Sequence, residues 1–224
     1  MHVASSPRPS SLRAGARAAL PIALVVAIFG ASFGVLARSA GFEPLAAVVM
    51  SATTFAGSAQ FAAASVLADG GSLAAAVTAA LLLNARYGPL GIAVAPAISG
   101  SPLQRLLAAQ LVVDESWALA TLPGGRTDFR RLAGAGLTLY AGWVLGTLAG
   151  AVAGSAVADP AALGLDAAFP ALFLGLLVPR LASAPARRAA LLGAVVAVAL
   201  TPLLPPGLPI VLAALAAVAG VRSR

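Results

Sequence analysis

The sequence lacks cysteine and lysine altogether, and its single histidine is His2. Without cysteine, disulfide bonds and thiol chemistry are excluded. One histidine alone cannot form the His/Cys cluster that binds zinc. The P-loop, GxSxG and HExxH motifs are also absent, which excludes an ATP-driven motor within this chain. We therefore expect that the protein is not an enzyme and that it has no cofactor and no metal site.

Charge is scarce as well. Only 9% of the 224 residues are charged and 60% are hydrophobic, whereas soluble domains carry roughly 25% charged residues. A soluble fold of this length has no room to bury so much apolar surface. The net charge of +7 comes from arginines scattered between apolar runs. Because they form no basic face, we expect no nucleic acid partner. The apolar composition instead predicts that the protein lies in a lipid bilayer.

The apolar runs predict an all-α, polytopic bundle of transmembrane helices. Residues 1–17 are rich in Ser, Pro and Arg, which predicts a disordered cytoplasmic tail, and residues 18–224 form one transmembrane domain. About eight spans are expected, or seven if the third is a re-entrant hairpin. They are 18–37, 45–68, 72–98, 103–121, 132–156, 161–179, 187–203 and 208–222. The third is expected to break near residues 84–88.

The arginines predict the orientation of these spans, because cytoplasmic loops collect basic residues. With eight spans, four arginine groups fall on one side: Arg8, Arg13 and Arg17; Arg126, Arg130 and Arg131; Arg180, Arg187 and Arg188; Arg222 and Arg224. The opposite loops hold Arg38 with Glu43, Arg105, and Asp159. This asymmetry predicts that both termini are cytoplasmic.

A spacing of 116 residues recurs along the chain. It relates Gly30, Gly34 and Pro44 to Gly146, Gly150 and Pro160, and it relates Pro89 and Gly91 to Pro205 and Gly207. Internal duplication is common in transporters. Because Gly and Pro are frequent in this sequence, chance is the other explanation, and the sequence does not decide between them.

Polar residues interrupt the apolar stretch 49–86, and they are the candidate substrate-binding residues: Ser51, Ser58, Gln60, Asn84 and Arg86. In hydrocarbon such side chains persist where protein or a water-filled cavity surrounds them. The small hydroxyl residues have a plainer explanation, since they let helices pack closely. Gln60, Asn84 and Arg86 together favour a polar pathway.

Asp114 and Glu115 are adjacent acids inside the fourth apolar run. An intramembrane carboxylate indicates function, because it can bind an ammonium group or carry a coupling proton. Adjacent helical residues point about 100° apart, so one of the two is expected to face the pathway. Alternatively, the span is shorter and the pair lies near the following arginines. Asp166 is a further candidate for a polar break.

Arg86 is the only arginine deep inside an apolar run. Its guanidinium group can bind a carboxylate with two parallel hydrogen bonds, and Asn84 can donate to the same group. The alternative is an internal ion pair between Arg86 and Asp114 or Glu115, which would make both partners structural.

Four segments resemble the AzlC family, the large subunits of bacterial branched-chain amino acid exporters. They are GASFGVLARSAGFEPLAAVVMSATTFAGSAQF, LLLNARYGPL, VVDESWAL and GLDAAFPALF, and the resemblance covers roughly residues 18–180. The family pattern falls on Met50, Ser51, Phe55, Ala56, Gly57, Gln60, Phe61, Asn84, Arg86, Asp114 and Glu115. Tyr87 departs from it, because an aromatic residue of the histidine type is expected there.

The resemblance implies secondary active export of hydrophobic amino acids such as leucine, isoleucine or valine across the bacterial plasma membrane. It also implies a small membrane partner of the AzlD type. In this interpretation Asn84 and Arg86 face the substrate carboxylate, and Asp114 or Glu115 faces the ammonium group or carries a proton. A passive channel for a small solute and a non-transporting subunit that stabilises a partner stay open as alternatives.

Overall fold

The computed structural model describes residues 11–85, 87–122, 126–154 and 181–204, together with isolated positions between 174 and 215. Within these ranges the regular elements are helices, as predicted. They are α1 (Leu12–Ser39), α2 (Pro44–Thr54), α3 (Gly57–Ala68), α4 (Leu73–Asn84), α5 (Tyr87–Val94), a 3-10 turn (Ala95–Ala97), α6 (Pro102–Ala109), α7 (Asp114–Ala120), α8 (Phe129–Ala153) and α9 (Ala184–Leu200).

Helix α1 starts earlier than predicted. The Ser11 hydroxyl accepts a hydrogen bond from the Ala14 N–H at 3.0 Å and caps the helix, because an oxygen at this position satisfies an N–H group that has no partner within the helix. Residues 12–17, which we predicted to belong to a disordered tail, are therefore helical. Residues 1–10 of that tail lie outside the described residues.

Helices α1 and α8 pack side by side along their length and run parallel. Gly15 lies against the backbone of Arg131 near the start of both helices, and Gly34 lies against Gly150 near their ends. A Cβ atom on any of these glycines would collide with the facing backbone. Small residues allow this close approach of two helices in a membrane.

The contacts between α1 and α8 are reciprocal. Gly30 lies against the carbonyl of Trp143, and Gly146 lies against the carbonyl of Ala27. Likewise, Gly34 meets the Thr147 carbonyl and Gly150 meets the Ala31 carbonyl. Adding 116 to the α1 residue of each contact gives the α8 residue of the reciprocal contact, so that Gly30 corresponds to Gly146 and Ala27 to Trp143. In this helix pair the 116-residue spacing seen in the sequence therefore places equivalent glycines at one interface.

Helices α2 and α3 form a pair that turns back inside the molecule. Helix α2 starts beside the C-terminal end of α1 and runs towards the middle of the molecule. At its end lies Phe55, whose ring centroid is 5.2 Å from that of Tyr140. Helix α3 then starts at Gly57 against the Trp143 ring, and four residues later the Phe61 ring lies 5.7 Å from Phe33. Phe33 lies near the C-terminal end of α1, so α3 returns to the end from which α2 came.

Helices α4 and α5 form one bent crossing. Helix α4 packs against α3 through Ala76 and Ala79, and the chain bends by 43° between α4 and α5. Helix α5 then reaches the N-terminal end of α8, where Leu90 and Val94 pack in one cluster with Leu132. The break predicted near residues 84–88 is confirmed.

Helices α6 and α7 form a second pair that turns back, this time from the opposite end. Gln110, just after α6, reaches the carbonyls of Ala52 and Thr53 in the middle of the molecule. Helix α7 returns to the start of α8, where the Arg131 guanidinium donates to the Leu119 carbonyl. The two pairs therefore enter from opposite ends and meet in the middle.

This arrangement corrects two predicted spans. The runs 45–68 and 103–121 are each two short helices that turn back, not single crossings. Within the described ranges, α1 and α8 are long and apolar enough to cross a membrane, and the bent α4–α5 pair meets the same criterion when its two helices are counted as one span. The predicted count of about eight is not confirmed, and the predicted spans 161–179 and 208–222 lie largely outside the described residues.

The revised path also changes the charge distribution. Arg105 now lies towards the N-terminal ends of α1 and α8, together with Arg13, Arg17, Arg126 and Arg130. We call this the arginine-rich end. At the opposite end Arg38 lies 3.9 Å from Glu43, and Asp69 lies in the turn after α3. Among the described residues, moving Arg105 to this end increases the asymmetry that was used to predict orientation.

Single cysteines test this path, because the natural chain contains none. We expect Ser39→Cys and Asp69→Cys to react with an impermeant thiol reagent from one side of the membrane, and Ser99→Cys and Arg126→Cys to react only from the other. All four positions are at loops or helix ends. Labelling of intact cells and of inside-out vesicles measures the side.

Asp69→Cys is the deciding position. If α2–α3 were a straight crossing, Asp69→Cys would label together with Arg126→Cys, and the re-entrant arrangement would be wrong.

Candidate functional site

A buried polar network ties α2 and α3 to α8. Ser51 and Gln60 are completely buried, and the Gln60 Nε2 donates to the Ser51 Oγ at 2.9 Å. The Trp143 Nε1 donates to the Gln60 Oε1 at 3.1 Å, and Ser51 and Thr147 share a hydrogen bond of 2.8 Å. Thr147 in turn donates to the Trp143 carbonyl. Buried polar groups are stable here because each has a partner.

This network supports the break between α2 and α3. Phe55 adopts the left-handed conformation with φ 41° and ψ 48°, which costs a non-glycine residue about 1–2 kcal/mol. The break frees backbone groups at the end of α2 and the start of α3, and nearby side chains bind them. The Ala56 N–H donates to the Gln60 Oε1, and the Tyr140 hydroxyl and the Gln110 amide donate to the Ala52 carbonyl at 2.9 and 3.1 Å.

A second set of contacts supports the break between α6 and α7. The Val113 N–H donates to the Ser116 Oγ at 3.0 Å, and the same hydroxyl donates to the Leu111 carbonyl at 2.8 Å. Ser116 is completely buried. Backbone that is not helical persists within a membrane protein only where such partners surround it.

The three breaks border a partly open cavity of about 130 Å³ in the middle of the molecule, which we call the inner cavity. Its apolar wall comes from α1, α3 and α8, and includes Val26, Phe29, Phe61, Leu139 and Trp143. Its polar wall is Ser58, Asp114 and Glu115. Engineered cavities of about 150 Å³ admit a benzene ring, so a leucine-sized side chain matches this space.

The polar and apolar walls suit a particular ligand chemistry. Asp114 is half-buried and Glu115 is exposed, and both lie in the first turn of α7. Carboxylates next to aromatic faces attract an organic cation through charge and through the ring quadrupole. Both acids line the wall of the inner cavity. Which of them faces a transport pathway stays a prediction.

A larger space of about 660 Å³ lies next to the inner cavity, and we call it the wide cleft. It extends from Thr54 and Gln110 in the middle towards Ile98 and Arg105 at the arginine-rich end. Asn84 lines it, and among the described residues the buried Asn84 Oδ1 has no hydrogen-bond partner. A buried acceptor without a partner is costly, which suits a position that receives a ligand donor or water.

The predicted site residues fall into three groups. Ser58, Asp114 and Glu115 line the inner cavity, and Asn84 lines the wide cleft. Ser51 and Gln60 lie in the buried network, where their hydrogen-bonding groups are bound to protein. Arg86 and Asp166 lie outside the described residues.

The sequence analysis did not identify Gln110, Tyr140 or Thr147 as site residues. Gln110 and Tyr140 satisfy the carbonyls freed at the end of α2, and Thr147 holds Ser51. The signal that would identify them is a polar side chain in an apolar run. That signal alone does not say which break the side chain serves.

Thr147→Val tests the network at nearly constant side-chain volume. Thr147 donates its proton to the Trp143 carbonyl, so the proton shared with Ser51 belongs to Ser51. Removing this acceptor leaves the O–H proton of buried Ser51 without a partner, although the Ser51 oxygen still accepts from Gln60. An unsatisfied buried donor costs about 1–3 kcal/mol. At about 2–4 °C per kcal/mol for a chain of this size, we expect a clearly lower melting temperature in detergent.

Thr78→Val is the matched control. Its hydroxyl bonds only the Ala74 carbonyl of the same exposed helix face, so we expect little change. Equal melting temperatures for both variants would contradict the network's role.

Comparison with known proteins identifies a family and several membrane-protein relatives. The sequence profile described as AzlC protein matches residues 21–157. The inner membrane protein YgaZ of Escherichia coli is 30% identical over 188 residues, covering 77% of this chain and 74% of that protein. An uncharacterized membrane protein of Archaeoglobus fulgidus is 32% identical over 192 residues, covering 84% of each chain. One from Helicobacter pylori is 26% identical, covering 80% of this chain and 79% of that protein.

No solved structure gives a significant match. The profile covers more than half of the chain, and the relatives align along most of their length. This chain is a membrane protein that belongs to the AzlC family.

Proposed function

We propose that this chain is the large subunit of a secondary exporter of branched-chain or similar hydrophobic amino acids. The observation that carries the proposal is the inner cavity, which combines a carboxylate wall with an aliphatic and aromatic wall. An amino acid with a hydrocarbon side chain presents an ammonium group and an apolar group to match. Transporters commonly bind substrate in the middle of the membrane where helices are broken.

Asp114 is the better candidate for the functional acid. It is half-buried, whereas Glu115 is exposed, and a charge interacts more strongly where water is partly excluded. In this proposal Asp114 binds the substrate ammonium group or carries the coupling proton. Glu115 contributes to the wall and is dispensable.

In this proposal the substrate carboxylate is recognised in the wide cleft, before the amino acid enters the inner cavity. Asn84 lines the cleft, and Arg86 is its neighbour but one in the sequence. An arginine fork and an amide donor together recognise a carboxylate. Ser51 and Gln60, which we first assigned to substrate binding, support the site indirectly by holding the break at Phe55.

The proposed setting is the inner membrane of a bacterium, with the arginine-rich end in the cytoplasm. The wide cleft then faces the compartment from which an exporter collects its substrate. A small membrane subunit of the AzlD type completes the transporter in this proposal.

Transport by inside-out vesicles tests the proposal. Vesicles that contain this chain and its small subunit should accumulate labelled leucine against a gradient when the lumen is acidified. We expect Asp114→Asn to lose the dependence on the pH gradient, because the amide keeps size and hydrogen bonding but cannot exchange a proton. Glu115→Gln should transport at nearly the wild-type rate.

Asp69→Asn is the control, because Asp69 is exposed in the turn after α3. Equilibration of leucine without accumulation would favour a passive channel. Unchanged rate and pH profile in both Asp114→Asn and Glu115→Gln would remove these acids from the mechanism.

A further inference from the structure

The wide cleft and the inner cavity have two wall residues in common, Phe55 and Tyr87. A side chain that belongs to the walls of both spaces lies between them. Each of these residues also sits at a helix break, Phe55 directly after α2 and Tyr87 at the start of α5. The boundary between the two spaces is therefore built on backbone that is not held by a continuous helix.

The backbone of Phe55 is unusual in a way that needs a reason. A bulky residue rarely adopts positive φ, and such strained conformations cluster at functional sites and switch regions. Glycine would adopt the same backbone conformation without strain. The nearest glycine, Gly57, lies two residues later, and the strained position itself carries an aromatic ring.

The surroundings of Phe55 favour one closed position of the ring. Phe55 is 7% exposed, and its ring packs edge-to-face on Tyr140 with an interplanar angle of 79°. Tyr140 is itself fixed by its hydrogen bond to the Ala52 carbonyl one turn earlier in α2. A change in the α2–α3 break would thus move the ring relative to its support, and would connect the two spaces.

We propose that Phe55 and Tyr87 form a gate between the wide cleft and the inner cavity. The inference rests on the proposed function, because it treats the wide cleft as the entry path of the substrate and the inner cavity as its binding site. The closed rings resist ions and water, so they must separate to admit an amino acid, whose ammonium and carboxylate groups are charged. In the closed state the inner cavity is shielded from the cleft.

Thiol accessibility tests the gate without any substrate. Ser58→Cys places the only thiol of the chain in the wall of the inner cavity, and the protein is reconstituted in lipid nanodiscs, where both faces are open to reagent. The probe is a positively charged methanethiosulfonate. We expect slow labelling of Ser58→Cys alone, and labelling at least tenfold faster when Phe55→Gly or Tyr87→Ala is added.

Three controls separate a gate from loosening of the protein. Thr54→Cys in the exposed wall of the cleft should label quickly with and without the gate substitutions. Phe42→Ala removes a partly buried ring that lines neither space, and it should leave Ser58→Cys slow. Ala64→Cys, completely buried and outside both walls, should stay unlabelled in every background.

The outcomes decide the proposal in both directions. Faster labelling of Ser58→Cys with an unlabelled Ala64→Cys supports the gate, even if leucine is not exported and the proposed function fails. Labelling rates within twofold of each other with and without both gate substitutions would overturn it. Fast labelling of Ser58→Cys in the otherwise natural chain, or a parallel rise at Ala64→Cys, would overturn it as well.

Discussion

A helix that stops inside a membrane leaves backbone N–H and C=O groups that no water molecule can satisfy. The centre of this protein is arranged around that constraint. Gln60, Gln110, Tyr140 and Ser116 each donate to or accept from backbone freed at a break. Because these side chains are bound to backbone, the breaks are stable, and the space between them can hold a ligand.

The parallel pair α1–α8 supplies the rigid frame for these breaks. Its glycines bring the two backbones into contact, and Thr147 and Trp143 of the same helix α8 anchor α2 and α3 through Ser51 and Gln60. The aromatic rings of Phe33, Phe61 and Trp143 fill the space between, with centroids 5.7–6.0 Å apart. The packed and hydrogen-bonded helices α1, α3 and α8 therefore form one side of the inner cavity, and α5 and α7 form the other.

The sequence predicted the all-helical membrane fold, the break near Asn84 and the family, because these depend on composition and on local polar signals. It did not predict that residues 45–68 turn back. A re-entrant pair must be as apolar as a crossing, so hydropathy does not distinguish them, and no rule places a phenylalanine in the left-handed conformation. The polarity of Ser51 and Gln60 was recognised, but only the contacts with Thr147 and Trp143 show which groups they satisfy.

In the proposed mechanism the inner cavity binds an amino acid through its ammonium group. Equilibrium binding of labelled leucine to the purified protein, in competition with N-acetyl-leucine, tests it most directly. N-acetyl-leucine keeps the side chain and the carboxylate but carries no positive charge. We expect leucine to bind and N-acetyl-leucine to compete at least tenfold more weakly. Equal competition would show that the acids of the cavity do not recognise the substrate, and would contradict the account.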